Sequence, residues 1–379
     1  MKKIALLHPF TAQAIGLKES DLLTSHSKSH VMALQALVEN DPSFSFAVDY
    51  FTGSFFPKKR KVSGVLKRFW PVSHPILKRH QWRNQSSASH FKFYRHSAPD
   101  VTLINMSGHG SSYIFQLGQF LKSQQKPYIA MLGGLHVSYD GPALTYYQNA
   151  HHLLVHTAYQ KKQLQEHPHF APLDIRVLPL GIDTTVFQPI LKRESQPLVI
   201  TYVGRISRLK QIELALRAFA YCLEQGLTSL QFQLIGPVSD PDYYQELQDL
   251  ALTLGCFDQI QFVGSVSHDQ LPEYYAKSTI LALPSQHESF GMVMTEAMAC
   301  GVPVVALKGA GGPDEVITSG EDGLLTTAVA YSQAVYELLS NPQMLQELSR
   351  AARKKVLEKF SIQSTITQLQ ESLNSIFPS

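Results

Sequence analysis

The chain has 379 residues, of which 44% are hydrophobic and 17% are charged, and its formal net charge is +3. This length exceeds what one hydrophobic core usually supports, so we expect two globular domains, and the composition argues against a long disordered or filamentous chain. Cys222, Cys256 and Cys300 lie far apart without a Cys-x-x-Cys pair, which argues against a disulfide framework or a zinc site and favours three buried thiols in a reducing compartment.

Short apolar runs of strand length alternate with amphipathic helical patterns along the chain. The first run, residues 4–7, is too short for the apolar core of a signal peptide and predicts the first strand. The other predicted strands are 101–104, 128–132, 153–155, 176–178, 199–203, 232–235, 260–263, 280–283 and 304–307. Apolar strands separated by helices predict the α/β class with parallel sheets covered on both faces. No run approaches the roughly 20 apolar residues that span a bilayer.

The strand series occurs twice, with a polar, proline-containing joint over residues 183–197. We therefore expect an N-terminal domain over 1–183, a linker over 184–197 and a C-terminal domain over 198–360, both domains Rossmann-like and doubly wound. A final helix within 361–379 could pack on either domain, and the N-terminal one is preferred. Two such domains facing a central cleft would present the carboxyl ends of their strands to a shared ligand.

Positive charge is concentrated between residues 50 and 99, where there are eleven Lys and Arg and no Asp or Glu. The part from 57 to 83 interleaves basic and aromatic side chains; those singled out are Lys58, Lys59, Arg60, Lys61, Trp70 and Trp82. Such a segment fits an anionic membrane surface or a lipid-linked acceptor. A mobile basic loop beside the acceptor is equally consistent, and nucleic-acid binding is the least expected of the three.

Two basic residues follow the predicted strand 199–203, in the turn Gly204-Arg205-Ile206-Ser207-Arg208-Leu209-Lys210. An arginine fork and a lysine point charge at a strand-to-helix turn can hold two phosphates. A solvated turn with ordinary surface charges is the alternative.

Two glutamates eight positions apart follow the predicted strand 280–283. Glu288 lies in the loop, a helix is predicted to begin near Gly291 without a side-chain cap, and Glu296 lies about one turn into it. Uncapped amides at a helix N-terminus bind anions, so Glu296 would reach past a phosphate to ribose hydroxyls and Glu288 to a sugar on the other side. Taken singly, each glutamate is more typical of a structural or surface position.

These elements together resemble the retaining group 1 glycosyltransferases (family GT4) of the GT-B fold. The resemblance rests on Gly204-Arg205…Lys210, Gly236-Pro237, Phe262-Val263-Gly264, Glu288-x7-Glu296 with the following Ala297-Met298-Ala299-Cys300-Gly301-Val302-Pro303, and Gly311-Gly312-Pro313-Asp314-Glu315. It implies that Arg205 and Lys210 hold the diphosphate of a nucleotide sugar, Glu296 its ribose and Glu288 its sugar. The amides of Phe290, Gly291 and Met292 would contact phosphate or sugar, and no metal or other cofactor is expected.

The N-terminal half resembles the family less closely. His136, after the predicted strand 128–132, matches the histidine that lies beside the transferred sugar in such enzymes, although its spacing departs from the usual one. His109 is a second candidate. The first loop has Gly16 where the family has a Gly-Gly pair, so its contact with the donor is a weaker expectation.

The expected function is therefore transfer of a sugar, with retention, from a nucleotide sugar to a hydroxyl group. The expected acceptor is a glycan or a lipid-linked saccharide in the synthesis of cell-surface polysaccharide or glycoconjugates. The expected location is the cytoplasm, with peripheral attachment to the inner face of the membrane. The alternatives are a GT-B disaccharide phosphorylase and a non-catalytic, membrane-associated binding module.

Overall fold

The computed structural model describes residues 1–15, 17–24, 28–74, 85–133, 137–189 and 197–377. The chain forms two compact units, Met1–Leu180 with Ile362–Ser379, and Gly181–Ser361. The division lies just before the expected linker, because residues after Leu180 already pack in the second unit. The Ile182 amide donates to the Phe360 carbonyl at 2.8 Å, and the Phe187 side chain is buried. Residues 190–196 of the expected linker lie outside the described residues.

The first unit is built on one sheet with the strand order β3-β4-β2-β1-β5-β6-β7-β8, in which only the β3–β4 pair is antiparallel. Its strands are β1 Lys2–His8, β2 Phe44–Thr52, β3 Lys58–Val62, β4 Val65–Pro71, β5 Val101–Ile104, β6 Tyr128–Met131, β7 His152–Val155 and β8 Ile175–Val177. Its described helices are α1 Asp21–Thr24, α2 Lys28–Asn40, α3 Ala88–Ser97, α4 Ser112–Ser123, α5 Gly141–Asn149 and α6 Ala158–Gln165.

The last helix of the chain, α14 (Ile362–Asn374), also belongs to the first unit. Its apolar side chains Leu369 and Leu373 are buried in the same core as Leu34 of α2. His152 of β7 contacts the hydroxyl of Ser372 through Nε2, so a polar contact also fixes the helix on the sheet.

Residues 58–71 of the basic segment form an edge hairpin, so the alternative of a mobile loop is wrong there, and residues 75–83 of the segment lie outside the described residues. The Asp49 carboxylate of β2 is fully buried and accepts both from the Arg68 guanidinium, at 2.6 Å to each oxygen, and from the Trp70 indole Nε1 at 2.7 Å. Lys67 is buried and donates to the carbonyls of Leu22 and Leu23. These contacts draw Lys67, Arg68 and Trp70 inward. Trp70 is consequently buried, and its predicted exposure to a membrane or acceptor is wrong.

The second unit has six strands, all parallel, in the order β11-β10-β9-β12-β13-β14. The strands are β9 Val199–Val203, β10 Gln231–Ile235, β11 Ile260–Gly264, β12 Ile280–Leu283, β13 Val304–Leu307 and β14 Leu324–Thr326. The helices are α7 Ile212–Glu224, α8 Pro241–Thr253, α9 Leu271–Lys277, α10 Met292–Ala299, α11 Gly312–Val316, α12 Tyr331–Leu339 and α13 Pro342–Lys359. The order of the strands reverses between β9 and β12, and open α/β sheets bind their ligands at such a reversal point.

The predicted class and strands are confirmed. All ten predicted strands are present, within two residues at each end, and each unit carries the predicted parallel sheet covered by helices. The three cysteines are free and buried, as predicted.

Candidate functional site

The loops that follow β9, β10 and β11 are hydrogen-bonded into one layer at the carboxyl edge of the second sheet. The Gly204 amide donates to the Ile235 carbonyl at 2.9 Å, and the Gly236 amide donates to the Gly264 carbonyl at 2.8 Å. A Cβ atom on Gly236 would lie 1.9 Å from the Gly204 carbonyl oxygen, so no larger residue fits without moving this loop. The layer sets the position of Arg205, the next residue after Gly204.

Arg205 and Lys210 both lie in this layer, but they differ in exposure and in ion pairing. The Arg205 side chain is exposed, and within the described part of the chain its guanidinium makes no hydrogen bond or ion pair. Lys210 forms an ion pair with Glu288, in which the two side chains are only 16% and 13% exposed. The structure therefore brings together Lys210 and Glu288, which the sequence placed on separate loops, and leaves Arg205 as a free cation beside the point where the strand order reverses.

Glu288 is held by its backbone as well as by its side chain. Its amide donates to the Ala310 carbonyl at 2.8 Å, and its carbonyl accepts from the Gly312 amide at 2.7 Å. The loop after β12 is thus paired with the loop after β13. The carboxylate reaches Lys210 from a fixed backbone position.

Of the helices α7 and α10, which follow the loops on the two sides of the reversal point, only α10 has an uncapped N-terminus. The Tyr243 hydroxyl accepts from the first amide of α7, that of Ile212, at 2.7 Å. Gly291, the N-cap of α10, has the left-handed conformation (φ 78°) and provides no side-chain cap. Because the first amides of a helix lack intrahelical partners, those of Met292 and Val293 remain for an anion.

Glu296 is more enclosed than the sequence suggested. Only 3% of its side chain is exposed, and both carboxylate oxygens have protein partners: His268 Nε2 lies 2.8 Å from Oε1, and the Tyr275 hydroxyl donates to Oε2 at 3.1 Å. Burial, and then the charge of Glu296, raise the pKa of Tyr275 well above its usual value, which keeps the phenol protonated as a donor. A ligand hydroxyl would have to share or replace the His268 contact.

His268 and Tyr275 were not identified from the sequence. His268 lies in the loop that follows β11, and a polar residue at the carboxyl edge of a parallel sheet was the available signal. Tyr275 gave none, because its position in α9 (Leu271–Lys277) has the apolar spacing of a core residue.

In the first unit the order reverses between β1 and β5, and polar residues lie there too. Asn105, directly after β5, contacts buried His8 at the end of β1, with Nδ2 and Nδ1 3.0 Å apart. His109 follows in the 3-10 turn Ser107–His109 and is half-buried. His136, Gly16 and Trp82 lie outside the described residues, so their predicted roles stay predictions.

Neither a metal cluster nor a membrane span is found in the described ranges. No group of three or more His, Cys, Asp or Glu side chains there could hold a metal ion. None of the helices in the same ranges is long and apolar enough to cross a bilayer.

Residues 183–355 match the model of the family described as glycosyl transferases group 1, a stretch that lies within the second unit. The chain is 35% identical over 220 residues to the D-inositol 3-phosphate glycosyltransferase of Acidothermus cellulolyticus, covering 54% of this chain and 48% of that protein. The protein of the same name from Rhodococcus opacus is 33% identical over 234 residues, covering 58% and 52%. The chain thus spans about half the length of these curated relatives.

Solved structures match the whole chain. Sucrose-phosphate synthase from Thermosynechococcus elongatus superimposes with a TM-score of 0.76 at 20% identity, covering 100% of this chain and 99% of that one. HepE of Anabaena, solved in complex with UDP, gives a TM-score of 0.73 at 17% identity, covering 99% and 100%. At these identities the likeness shows a shared fold, and the family match shows the lineage of the second unit. Residues 183–355 therefore form a group 1 glycosyltransferase domain, and the chain has the GT-B fold.

Proposed function

We propose that the protein is a retaining, metal-independent glycosyltransferase that moves a sugar from a nucleoside diphosphate sugar to a hydroxyl group. The observation that carries this proposal is the state of Arg205, an exposed guanidinium that has no partner among the described side chains and lies at the reversal point of the sheet. Beside it are the Lys210–Glu288 pair and the uncapped N-terminus of α10. This combination suits a diphosphate that is joined to groups rich in hydroxyls.

Arg205 and Lys210 would bind the diphosphate and stabilise the charge that develops on it. The bond between the anomeric carbon and the donor phosphate oxygen breaks, and a bond to the acceptor oxygen forms on the same face of the sugar. The acceptor proton passes to the departing phosphate. The two cations and the amides of α10 supply the charge neutralisation for which other enzymes use a metal ion.

The two glutamates would bind the hydroxyls on either side of the diphosphate. When Lys210 turns to phosphate, the Glu288 carboxylate loses its partner and becomes an acceptor for the donor sugar. Glu296, with its orientation fixed by Tyr275, would accept from the ribose, and the half-exposed His268 ring would give up or share its contact. The amides of Phe290, Gly291 and Met292 complete the phosphate and sugar contacts.

The comparisons favour a uridine nucleotide as the first donor to test. HepE of Anabaena has been solved with UDP and with UDP-glucose. The curated relatives are named for transfer to D-inositol 3-phosphate, a hydroxyl acceptor. For this chain we propose a glycan or a lipid-linked saccharide acceptor in surface polysaccharide or glycoconjugate synthesis, reached at the inner face of the cytoplasmic membrane.

The test is a thermal-shift titration of the full chain with UDP, GDP, ADP and dTDP, each with and without EDTA. A bound nucleotide stabilises the fold by about 2.7 kcal/mol at a hundredfold excess over Kd, and the shift should persist in EDTA. The binding nucleotide is then supplied as its sugar derivatives with an acceptor panel, and release of the nucleoside diphosphate is measured. The proposal fails if no nucleotide shifts the transition, or if inorganic phosphate rather than a nucleotide sugar supports turnover, as in a phosphorylase.

A further inference from the structure

Two neighbouring phenylalanines project into solvent from the first unit. Phe55 and Phe56 are 69% and 78% exposed, and they lie in the loop between β2 and β3. Leaving two adjacent phenyl rings in water is unfavourable, by roughly 25 cal/mol for each Å² of apolar surface. A pair of this kind indicates a surface that contacts an apolar phase.

The loop is held in place by hydrogen bonds, so the rings are presented on a fixed support. The Thr52 hydroxyl donates to Glu19 at 2.7 Å, and the Lys58 ammonium pairs with the same carboxylate at 3.3 Å. The Ser54 hydroxyl donates to the carbonyl of Phe56 at 2.8 Å. These contacts fix both ends of the loop from Gly53 to Pro57.

Basic side chains lie next to the two rings. Lys59, Arg60 and Lys61 of the edge strand β3 are all exposed, and none of the three forms an ion pair with a described carboxylate. Two carboxylates pair with this hairpin, Glu19 with Lys58 and the buried Asp49 with Arg68. The surface formed by Phe55, Phe56, Lys59, Arg60 and Lys61, here termed the basic-aromatic surface, therefore carries three uncompensated positive charges.

We propose that the basic-aromatic surface docks on an anionic lipid bilayer. Phenyl rings partition into the interfacial region of a membrane, and lysine and arginine are attracted to anionic headgroups. Charge complementarity favours this occupant over a neutral bilayer. Pairing of another chain's strand with β3 is disfavoured, because consecutive charged residues on an edge strand resist it.

The docked surface would lie at the carboxyl ends of the strands of the first sheet, where Asn105 and His109 also lie. In the parallel register, Tyr50 near the end of β2 is opposite His8, and Leu7 is opposite Ile104 at the end of β5. The Phe55–Phe56 loop therefore leaves the sheet on the same edge as Asn105 and His109. Docking would bring this edge to the bilayer, where a lipid-linked acceptor is located; only this link to the acceptor rests on the proposed function.

The experiment is flotation of the full chain with two kinds of vesicle, pure phosphatidylcholine and phosphatidylcholine with about one third phosphatidylglycerol. The unmodified chain should float with the anionic vesicles in low salt and be released in high salt. Neutralising one basic residue should weaken partition about fivefold, so Lys59→Gln, Arg60→Gln and Lys61→Gln combined should weaken it about a hundredfold. Phe55→Ser with Phe56→Ser should weaken it at least tenfold at every salt concentration.

A matched control carries three neutralised lysines elsewhere in the first unit, Lys122→Gln, Lys161→Gln and Lys162→Gln, and should float like the unmodified chain. Each variant is compared by its unfolding midpoint, which should be unchanged since the substituted side chains are exposed or, for Lys161, half-exposed. The proposal is overturned if the unmodified chain does not float, if the control loses as much partition as the basic variant, or if only a single-stranded nucleic acid binds. Flotation does not require nucleotide binding, so its result can be interpreted even if the proposed function is wrong.

Discussion

Substituting Glu288 by glutamine should separate nucleotide binding from sugar transfer. Lys210 is occupied by Glu288, and a phosphate that bound Lys210 in its place would lie about 5 Å from the carboxylate. At an effective dielectric constant of 20, two unit charges at that distance repel by about 3 kcal/mol. Because the Lys210 ammonium contacts the carboxylate and offsets part of this repulsion, we expect about half of it to be realised. Glu288→Gln should therefore bind the nucleoside diphosphate about tenfold more tightly and transfer sugar at least a hundredfold more slowly.

The assay combines calorimetric titration with the nucleoside diphosphate and steady-state transfer. Lys210→Met should weaken binding and transfer together, and the double variant should bind more tightly than Lys210→Met, because removing the Glu288 charge relieves its repulsion of the phosphate with or without the lysine. Glu321→Gln, an exposed carboxylate of the same unit, is the control and should change neither quantity. Weaker binding by Glu288→Gln, or full transfer activity, would refute the reasoning.

Three further predictions concern separate groups. Arg205→Ala should lose about 2–4 kcal/mol of transition-state stabilisation, mostly in kcat, whereas the exposed Arg217→Ala should lose none; equal turnover of both variants would remove Arg205 from the site. Glu296→Gln should weaken nucleoside diphosphate binding about tenfold and leave pyrophosphate binding unchanged, measured by calorimetric titration beside Glu273→Gln, and an equal loss for both ligands would contradict a ribose contact. Burial lowers the pKa of His152 from 6.5 to about 3, so the unfolded chain binds a proton that the folded chain does not, and stability falls as pH drops from 6.5 towards 3. Between pH 7 and pH 5, the free energy of unfolding measured by denaturant titration should fall by about 2 kcal/mol less in His152→Gln than in the unmodified chain. An equal fall in the two proteins would contradict the assignment.

The sequence predicted ten strands from their apolar runs and missed β2, β3, β4 and β14, of which β2 and β4 carry charged residues that are paired inside the fold. β2 contains Asp49 and β4 contains Lys67 and Arg68; Asp49 and Arg68 pair with each other across the sheet, and Lys67 donates to carbonyls of α1. No pattern within one strand shows that a carboxylate 19 positions away will compensate an arginine. The same partner explains why Trp70 was assigned to the surface, since its indole is held inward by Asp49.

The positions of the second-unit residues were predictable, and their partners were not. Parallel strands bring their carboxyl ends to one edge, so Arg205 and Glu288 could be placed there from the strand pattern alone. The spacing of residues in the sequence does not show how far a side chain extends from one loop to another. It therefore could not predict the contact of Lys210 with Glu288 or that of His268 with Glu296. The cap that Tyr243 provides to α7 likewise comes from a different helix.

The assignment of α14 to the first unit has a consequence for synthesis on the ribosome. The N-terminal 180 residues emerge first, but the helix that covers Leu34 and its neighbours is separated from them by the whole second unit. At 5–20 residues per second, the remaining stretch of chain takes roughly 10–40 s to appear. The second unit is continuous and can complete its core during that interval, while the first keeps an uncovered apolar face until α14 has been made. A nascent chain of this protein is therefore expected to need a chaperone on its first unit, although that unit is made first.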